Sequence, residues 1–260
     1  MPKPDRENDF LRRVMLPNRT FKTTGRRRLD DLNAFSLSWI RALGTRRLKI
    51  MDVAASSGAA TEQWQLQLEA NGVPCEMTAT DKTPYAYRVQ MSTGITALVD
   101  AELNPLHFTV LGWGVSPRVE GKWAFVKRRL RGKLAKLAPS LANATKISFS
   151  SGRLSIEEDD LLARNNPVWV DAFDVVRAAN IMNRAYFPDP QLRVMAANLL
   201  QRLRPAGLLI VSRTRESDDK NEATIFSREP HEVKVIARLN GGSEIEPLIT
   251  GATSYPSPTI

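Results

Sequence analysis

Apolar and polar positions along the chain alternate between two periods. Over 31–43, Leu32, Phe35, Trp39 and Leu43 recur at steps of three and four, which predicts a helix. Residues 48–53 follow as a short apolar strand, and then come five small residues, Ala54-Ala55-Ser56-Ser57-Gly58. A second helix is expected over 59–71, with Trp64 and Leu68 on one side and Gly72 as its C-terminal cap. Residues 76–80 read as a strand ending at Asp81, and Pro84 interrupts regular structure after it. The apolar runs 95–99 and 106–111, divided by Asn104-Pro105, predict a β-hairpin. A helix over 122–137 places Trp123, Val126, Leu130, Leu134 and Leu137 on one stripe, weakened by about 1 kcal/mol at Gly132. Short strands are expected at 146–149 and 153–156, before the acidic run 157–160. Residues 173–179 read as a buried strand. Asp189-Pro190 opens a helix whose inner stripe is Leu192, Met195, Leu199 and Leu203, and 204–207 ends it. The apolar run 208–212 has the pattern of a strand covered on both faces. Two strands near 224–226 and 234–239 come last, and a tail with Pro256 and Pro258 reads as a loose end.

Alternation of this kind predicts an α/β protein: a doubly wound, mostly parallel sheet with helices on both faces, plus a hairpin-helix insertion. Residues 1–45 are expected to form a basic arm and helix, 46–260 the α/β domain, with the insertion at about 94–137. A chain of 260 residues fits one such core, and no internal repeat is visible.

Composition narrows the classes. At 42% hydrophobic and 25% charged residues, the chain is globular rather than disordered. A single cysteine, Cys75, excludes an internal disulfide framework and a multi-Cys zinc site, and two histidines, His107 and His231, argue against a His-rich metal site. No metal is expected. No apolar run approaches the roughly 20 residues that cross a bilayer, and residues 1–13 lack the apolar stretch of a signal peptide. A reduced, cytoplasmic setting is the expectation. The net charge of +9 is uneven. Residues 1–49 hold 13 Lys/Arg against 5 Asp/Glu, 118–136 hold 8 against 1, and 155–174 hold 6 acidic residues against 1 basic. The basic N-terminal arm and the 118–136 helix are candidates for gripping nucleic-acid phosphates. No RNA-binding motif accompanies them, and no aromatics interleave with Arg26, Arg27 and Arg28. Lying on a membrane surface is a rival use of the basic helix, and packing its stripe on a sheet is the commoner one.

The chemistry centres on the small-residue loop. Ligands of open α/β sheets bind outside the carboxyl ends of the strands, where a helix N-terminus offers unpaired N–H groups. Asp52 lies near the end of the first strand and Asp81 at the end of the second. A carboxylate there can accept two ribose hydroxyls, which points to an adenosine-containing cofactor. A dinucleotide fingerprint needs three glycines, and this loop has only Gly58. A P-loop is absent. A cofactor without phosphates asks less of the loop.

The segment Met51-Asp52-Val53-Ala54-Ala55-Ser56-Ser57-Gly58 resembles the first motif of class I S-adenosylmethionine (SAM) methyltransferases. Phe173-Asp174-Val175-Val176, and Leu203-Arg204-Pro205-Ala206-Gly207 leading into 208–211, resemble that family's later strands and its helix-to-strand turn. Residues 177–187 are loosely similar to the chemotaxis-receptor methyltransferase branch, with two residues between Arg177 and Asn180. The likeness spans about 48–214. It implies SAM as cofactor. The loop residues Ala54, Ser56 and Gly58 would lie against it, and Asp81, with Lys82 beside it, would hold the ribose. Asp160 would meet the adenine amino group, Asn180 and Ile181 the methionine part, and Asp52 the amino group. Ala54 and Ser56 stand where the family usually has glycine. No catalytic residue is named, because transfer from a sulfonium mainly needs nucleophile, methyl and sulfur held in line. The acceptor is expected to be bound by the N-terminal arm, the insertion and the loop after Asn180.

Other readings stay open. Asp52 could cap the loop, Asp81 could be a turn residue, Asp159 and Asp160 could form a solvated acidic loop, and Asn180 and Asn183 could satisfy backbone groups. Tyr186, His107, His231 and Cys75 fit structural roles. A degenerate methyltransferase fold that binds nucleic acid or protein is the main alternative. A nicotinamide-dependent oxidoreductase is disfavoured by the missing glycines.

Overall fold

The computed structural model describes residues 27–44, 46–118, 120, 124–137, 144–150, 154–163 and 165–251. The basic arm, Trp123, Arg153 and the proline-containing tail lie outside them. The described residues fall into two compact units, one within 83–149 and the other within 27–82 together with 150–251.

In the α/β unit, helix α1 (Asp30–Arg41) precedes β1 (Leu48–Val53), α2 (Ala59–Ala70) and β2 (Cys75–Asp81). The chain then runs through the other unit and returns. The unit resumes with β8 (Ile156–Glu158), β9 (Phe173–Ala179), α4 (Asp189–Arg202), β10 (Leu203–Thr214), β11 (Asn221–Arg228), β12 (Val233–Leu239) and the short α5 (Glu246–Thr250). The seven-stranded sheet has the order β12-β11-β10-β9-β1-β2-β8. Pairs β8–β2, β2–β1, β1–β9 and β9–β10 are parallel, and β10–β11–β12 form an antiparallel meander at one edge. Strand order reverses between β1 and β9, which defines the switch point of a doubly wound sheet.

Alternating side chains sort into two cores. Leu48, Ile50, Leu208 and Ile210 pack with Leu32 and Ile40 of α1 and Trp64 and Leu68 of α2. Met51, Val53, Leu209 and Val211 pack with Leu192, Met195 and Leu199 of α4 and Leu248 and Ile249 of α5. Helices therefore cover both faces, and the apolar runs of β1 and β10 follow from burial on both sides.

Helix α1 belongs to this core rather than to a separate N-terminal piece. Its inward face is Leu32, Asn33, Ser36 and Ile40, whereas Trp39, expected on the inner stripe, is 38% exposed. Polar Asn33 and Ser36 on the buried face hid the periodicity. Helix α4 ends at Arg202, and Leu203, expected on its stripe, already pairs with Phe173. A register shift between Leu203 and Leu208 comes next, with Ala206 at φ 61°. At Gly207 a Cβ would sit 2.9 Å from the Arg204 carbonyl oxygen and 3.1 Å from that of Asp174, so only glycine fits.

The second unit is a five-stranded antiparallel sheet, order β6-β5-β4-β3-β7. Its strands are β3 (Tyr85–Ser92), β4 (Ile95–Val99), β5 (Pro105–Val110), β6 (Trp113–Val115) and β7 (Thr145–Ser148), with helix α3 (Ala124–Leu137) before β7. The expected hairpin is β4–β5. Pro84 does not end regular structure: β3 begins at the next residue, and the Pro84 carbonyl accepts from the Phe149 amide. A proline just ahead of a strand removes no ladder bond. The strand expected at 146–149 pairs antiparallel with β3, so the insertion is wider than 94–137. Leu130 and Leu134 of α3 pack on Met91, Ala97, Val99 and Phe108. Among the described residues no helix is long and apolar enough to cross a membrane.

Candidate functional site

The carboxyl end of β1 runs into the loop 54–58, and α2 begins at Ala59. Three alternate residues of that loop are left-handed: Ala54 at φ 55°, Ser56 at φ 59° and Gly58 at φ 77°. Alanine and serine thus hold a backbone shape that glycine adopts without cost, and each L-residue there carries roughly 1–2 kcal/mol of strain. The loop is fixed from below. The Ala55 amide donates to the Thr80 carbonyl at 2.8 Å, and the Ser56 amide donates to Asp81 Oδ2 at 2.8 Å. Gly58 N–H donates to the Ala55 carbonyl, and the Gly58 carbonyl accepts from Glu62. Asp81 is therefore a buried strand-end carboxylate that ties β2 to the loop of β1, not a turn residue.

Asp52 has a different environment. In the parallel register it lies directly beside Arg177 of β9. Arg177 Nε donates to Asp52 Oδ1 at 2.8 Å and Nη2 to Oδ2 at 2.6 Å, while Thr61 Oγ1 donates to Oδ2 at 2.6 Å. The third guanidinium nitrogen, Nη1, donates to Asn33 Oδ1 at 2.8 Å, and the group stacks 3.8 Å above the Trp64 ring. Arg177 is 1% exposed. Asp52 thus anchors α1, α2, β1 and β9 together through a buried bidentate pair.

Asp159 and Asp160 divide in the same way. Asp159 accepts from Arg202 Nη1 at 2.7 Å and Nη2 at 3.0 Å, and from Thr80 Oγ1 at 3.1 Å. Arg202 also donates to Asn165 and lies over Trp169. Asp160 accepts from Lys82 Nζ at 2.6 Å and from the Leu162 amide at 3.0 Å. Partial burial pushes the Asp160 carboxyl up, but the Lys82 hydrogen bond, the Leu162 amide and the Lys82 charge outweigh it and hold the group below its ordinary range. Lys82 and Asp160 form a clasp joining the ends of β2 and β8, and neither is a simple solvated charge.

Across the switch point, Asn180 follows β9 at φ 62°. Its amide donates to the Ser212 carbonyl at 2.8 Å, and its Oδ1 accepts from the Thr214 amide at 2.6 Å. The Ile181 side chain packs on the α4-side core. Asn183 is buried, and its carbonyl accepts from the Tyr186 and Phe187 amides. Asn183 Oδ1 and Ser212 Oγ are buried without a partner among the described residues. Such atoms are costly unless something completes them.

Asp81, Ser56, Ala54 and Gly58 converge on one loop, and Lys82 and Asp160 meet beside it. Asn180 stands at the end of β9, the strand neighbouring β1. The Arg177 network was missed. Its signal was present, because an arginine within the largely apolar strand 173–179 demands a buried acid, and Asp52 is the acid of the adjacent apolar strand.

No protein-family model matches the chain, and no curated protein matches it in sequence. Solved structures match at low identity. PH0226 protein from Pyrococcus horikoshii OT3 is 13% identical, with 86% of this chain and 80% of that chain covered and a TM-score of 0.40. CalS10, an amino pentose methyltransferase from Micromonospora echinaspora solved with SAM bound, is 13% identical over 79% of this chain and 66% of that one, TM-score 0.34. The CMeT domain of the citrinin polyketide synthase is 16% identical over 72% of this chain, TM-score 0.33, and this chain spans only 39% of that one. At these scores the matches carry no argument about activity. The class of the protein rests on its own topology: a doubly wound α/β fold whose switch point lies between β1 and β9.

Proposed function

We propose that this protein is a SAM-dependent methyltransferase, with the cofactor held at the switch point. The observation that carries this reading is the loop 54–58, left-handed at Ala54, Ser56 and Gly58 and tied through the Ser56 amide to Asp81. It keeps a glycine-like path without three glycines, which suits a phosphate-free adenosyl group. The orphaned Ser212 Oγ and Asn183 Oδ1 supply unspent polar groups near the ends of β10 and β9, as a polar ligand requires.

In this reading Asp81 accepts from the ribose while it fixes the loop. Asp160, with Lys82 against it, lies toward the adenine, and Asn180 and the backbone at Ile181 border the methionine part. Asp52 acts through Arg177 and Thr61 to hold the strand ends in place. The bound cofactor supplies an electrophilic methyl group on a good leaving sulfonium. The protein's task is then alignment of the acceptor and exclusion of water, and no acid–base pair is required of it. The narrower likeness to the chemotaxis-receptor branch finds no support, since Arg177 is sealed in the Asp52 network.

Denaturing mass spectrometry of the purified protein, incubated with excess SAM and passed through a desalting column, tests the reading. Retention of SAM or its demethylated product at near one per chain is expected. Complete loss of both would overturn it.

A further inference from the structure

Helix α3 carries Lys127, Arg128, Arg129, Arg131, Lys133 and Lys136 and no acidic residue. All but Lys127 are exposed. Several cations of the α/β unit differ: Arg184, Arg202, Arg215 and Arg238 each hold a carboxylate. None of the six on α3 makes an ion pair with a described residue. The unit around them is itself basic, with ten Lys/Arg and three Asp/Glu over 83–149. Six like charges on one short helix repel one another, a cost that an external polyanion removes.

The helix's orientation selects among polyanions. A helix that rests on a bilayer turns its apolar stripe outward. Here Leu130 and Leu134 are buried against the five-stranded sheet, so the outward side from Lys127 onward is cationic. Fourteen residues at 1.5 Å each span about 21 Å, the axial rise of about six nucleotides of one duplex strand. Phe125, on the same helix, is 73% exposed, and Trp113 on β6 is 79% exposed. An exposed ring on a cationic helix, as Phe125 is, is what an unpaired base stacks on.

We propose that α3 is a nucleic-acid-binding surface, gripping phosphates through Arg128, Arg129, Arg131, Lys133 and Lys136 and an unpaired base through the exposed Phe125.

Fluorescence anisotropy of the full chain with a labelled single-stranded RNA of about 20 nucleotides, titrated without SAM across a salt series, tests the surface. Five phosphate contacts predict a log–log salt slope of about −3.5. Replacing Arg128, Arg131 and Lys133 by alanine is expected to weaken binding at least tenfold near 0.1 M salt and to flatten the slope by about 2. These are exposed positions at which alanine favours helix, so the circular dichroism melt stays as in wild type. Phe125→Ala should weaken the single strand more than a duplex of equal length. Arg238→Ala, in the other unit, should leave binding unchanged. No binding at about 0.05 M salt, equal binding by the triple variant, or association with phosphatidylglycerol vesicles but not RNA would each overturn the proposal. Because no SAM is present, failure here leaves the cofactor reading standing, and failure of SAM retention leaves this surface standing.

Discussion

Arg177 lies fully buried in β9, yet each of its three guanidinium nitrogens donates a hydrogen bond. Arg177→Met would leave Asp52 buried without its cation and should cost about 3–5 kcal/mol. The double change Asp52→Asn, Arg177→Met should cost clearly less, because no uncompensated charge remains. Urea unfolding of the three proteins decides it, and equal losses for the single and double variants would refute the pairing. Ala54→Gly tests the strained loop in the other direction: removing the Cβ at φ 55° should raise stability by about 1 kcal/mol. At Cys75, burial first, then the Glu69 charge, push the thiol up to about 11, with Arg47 opposing. Only about one thiol in a thousand is then ionised at pH 8. Iodoacetamide should leave folded protein unmodified over a time that fully alkylates it in urea. At this scale the positions of Asp52 and Asp81 were legible because acids at strand ends stand out among apolar runs. The use of Asp52 was not, since the partner that consumes it lies 125 residues away in sequence.

Elements were legible wherever burial left a clean period. The strands 48–53 and 173–179 were recovered to the residue, and α2 and the β4–β5 hairpin nearly so. Helix α1 blurred because Asn33 and Ser36 face inward, where Arg177 and Gln67 satisfy Asn33. Strand β3 was lost because Pro84 reads as a breaker unless its place ahead of a strand is known. The clasp between β2 and β8 makes its own prediction. Asp160 titrates below its ordinary value of 3.8 in the folded chain, so the clasp's contribution is present above that value and is lost as pH falls through the lower folded value. Wild type should therefore exceed Asp160→Asn in stability from neutral pH down to about 4, and the two should converge in stronger acid. The difference is small, because Lys82 is largely exposed. A gap that persists unchanged in strong acid would contradict the ion pair.

For the whole molecule, the alternation of strands and helices was enough to predict a doubly wound sheet, and the structure has one. The extent of the second unit was not readable, because β3 and β7, which pair, lie more than 50 residues apart and nothing local says which sheet a strand joins. The antiparallel pairing of β3 with β7 shows where it goes. The fold brings the ends of β1, β2, β8, β9 and β10 to one edge, the proposed seat of an adenosyl sulfonium. Isothermal titration of SAM into the wild-type chain and into Asp81→Asn measures this most directly. Asparagine can still accept the Ser56 amide, so the loop anchor is kept while the charge is removed. One-to-one binding by wild type, weakened at least tenfold in Asp81→Asn, is the predicted result. Absence of any binding heat in wild type across a range of temperatures, or equal affinity in the two proteins, would contradict it.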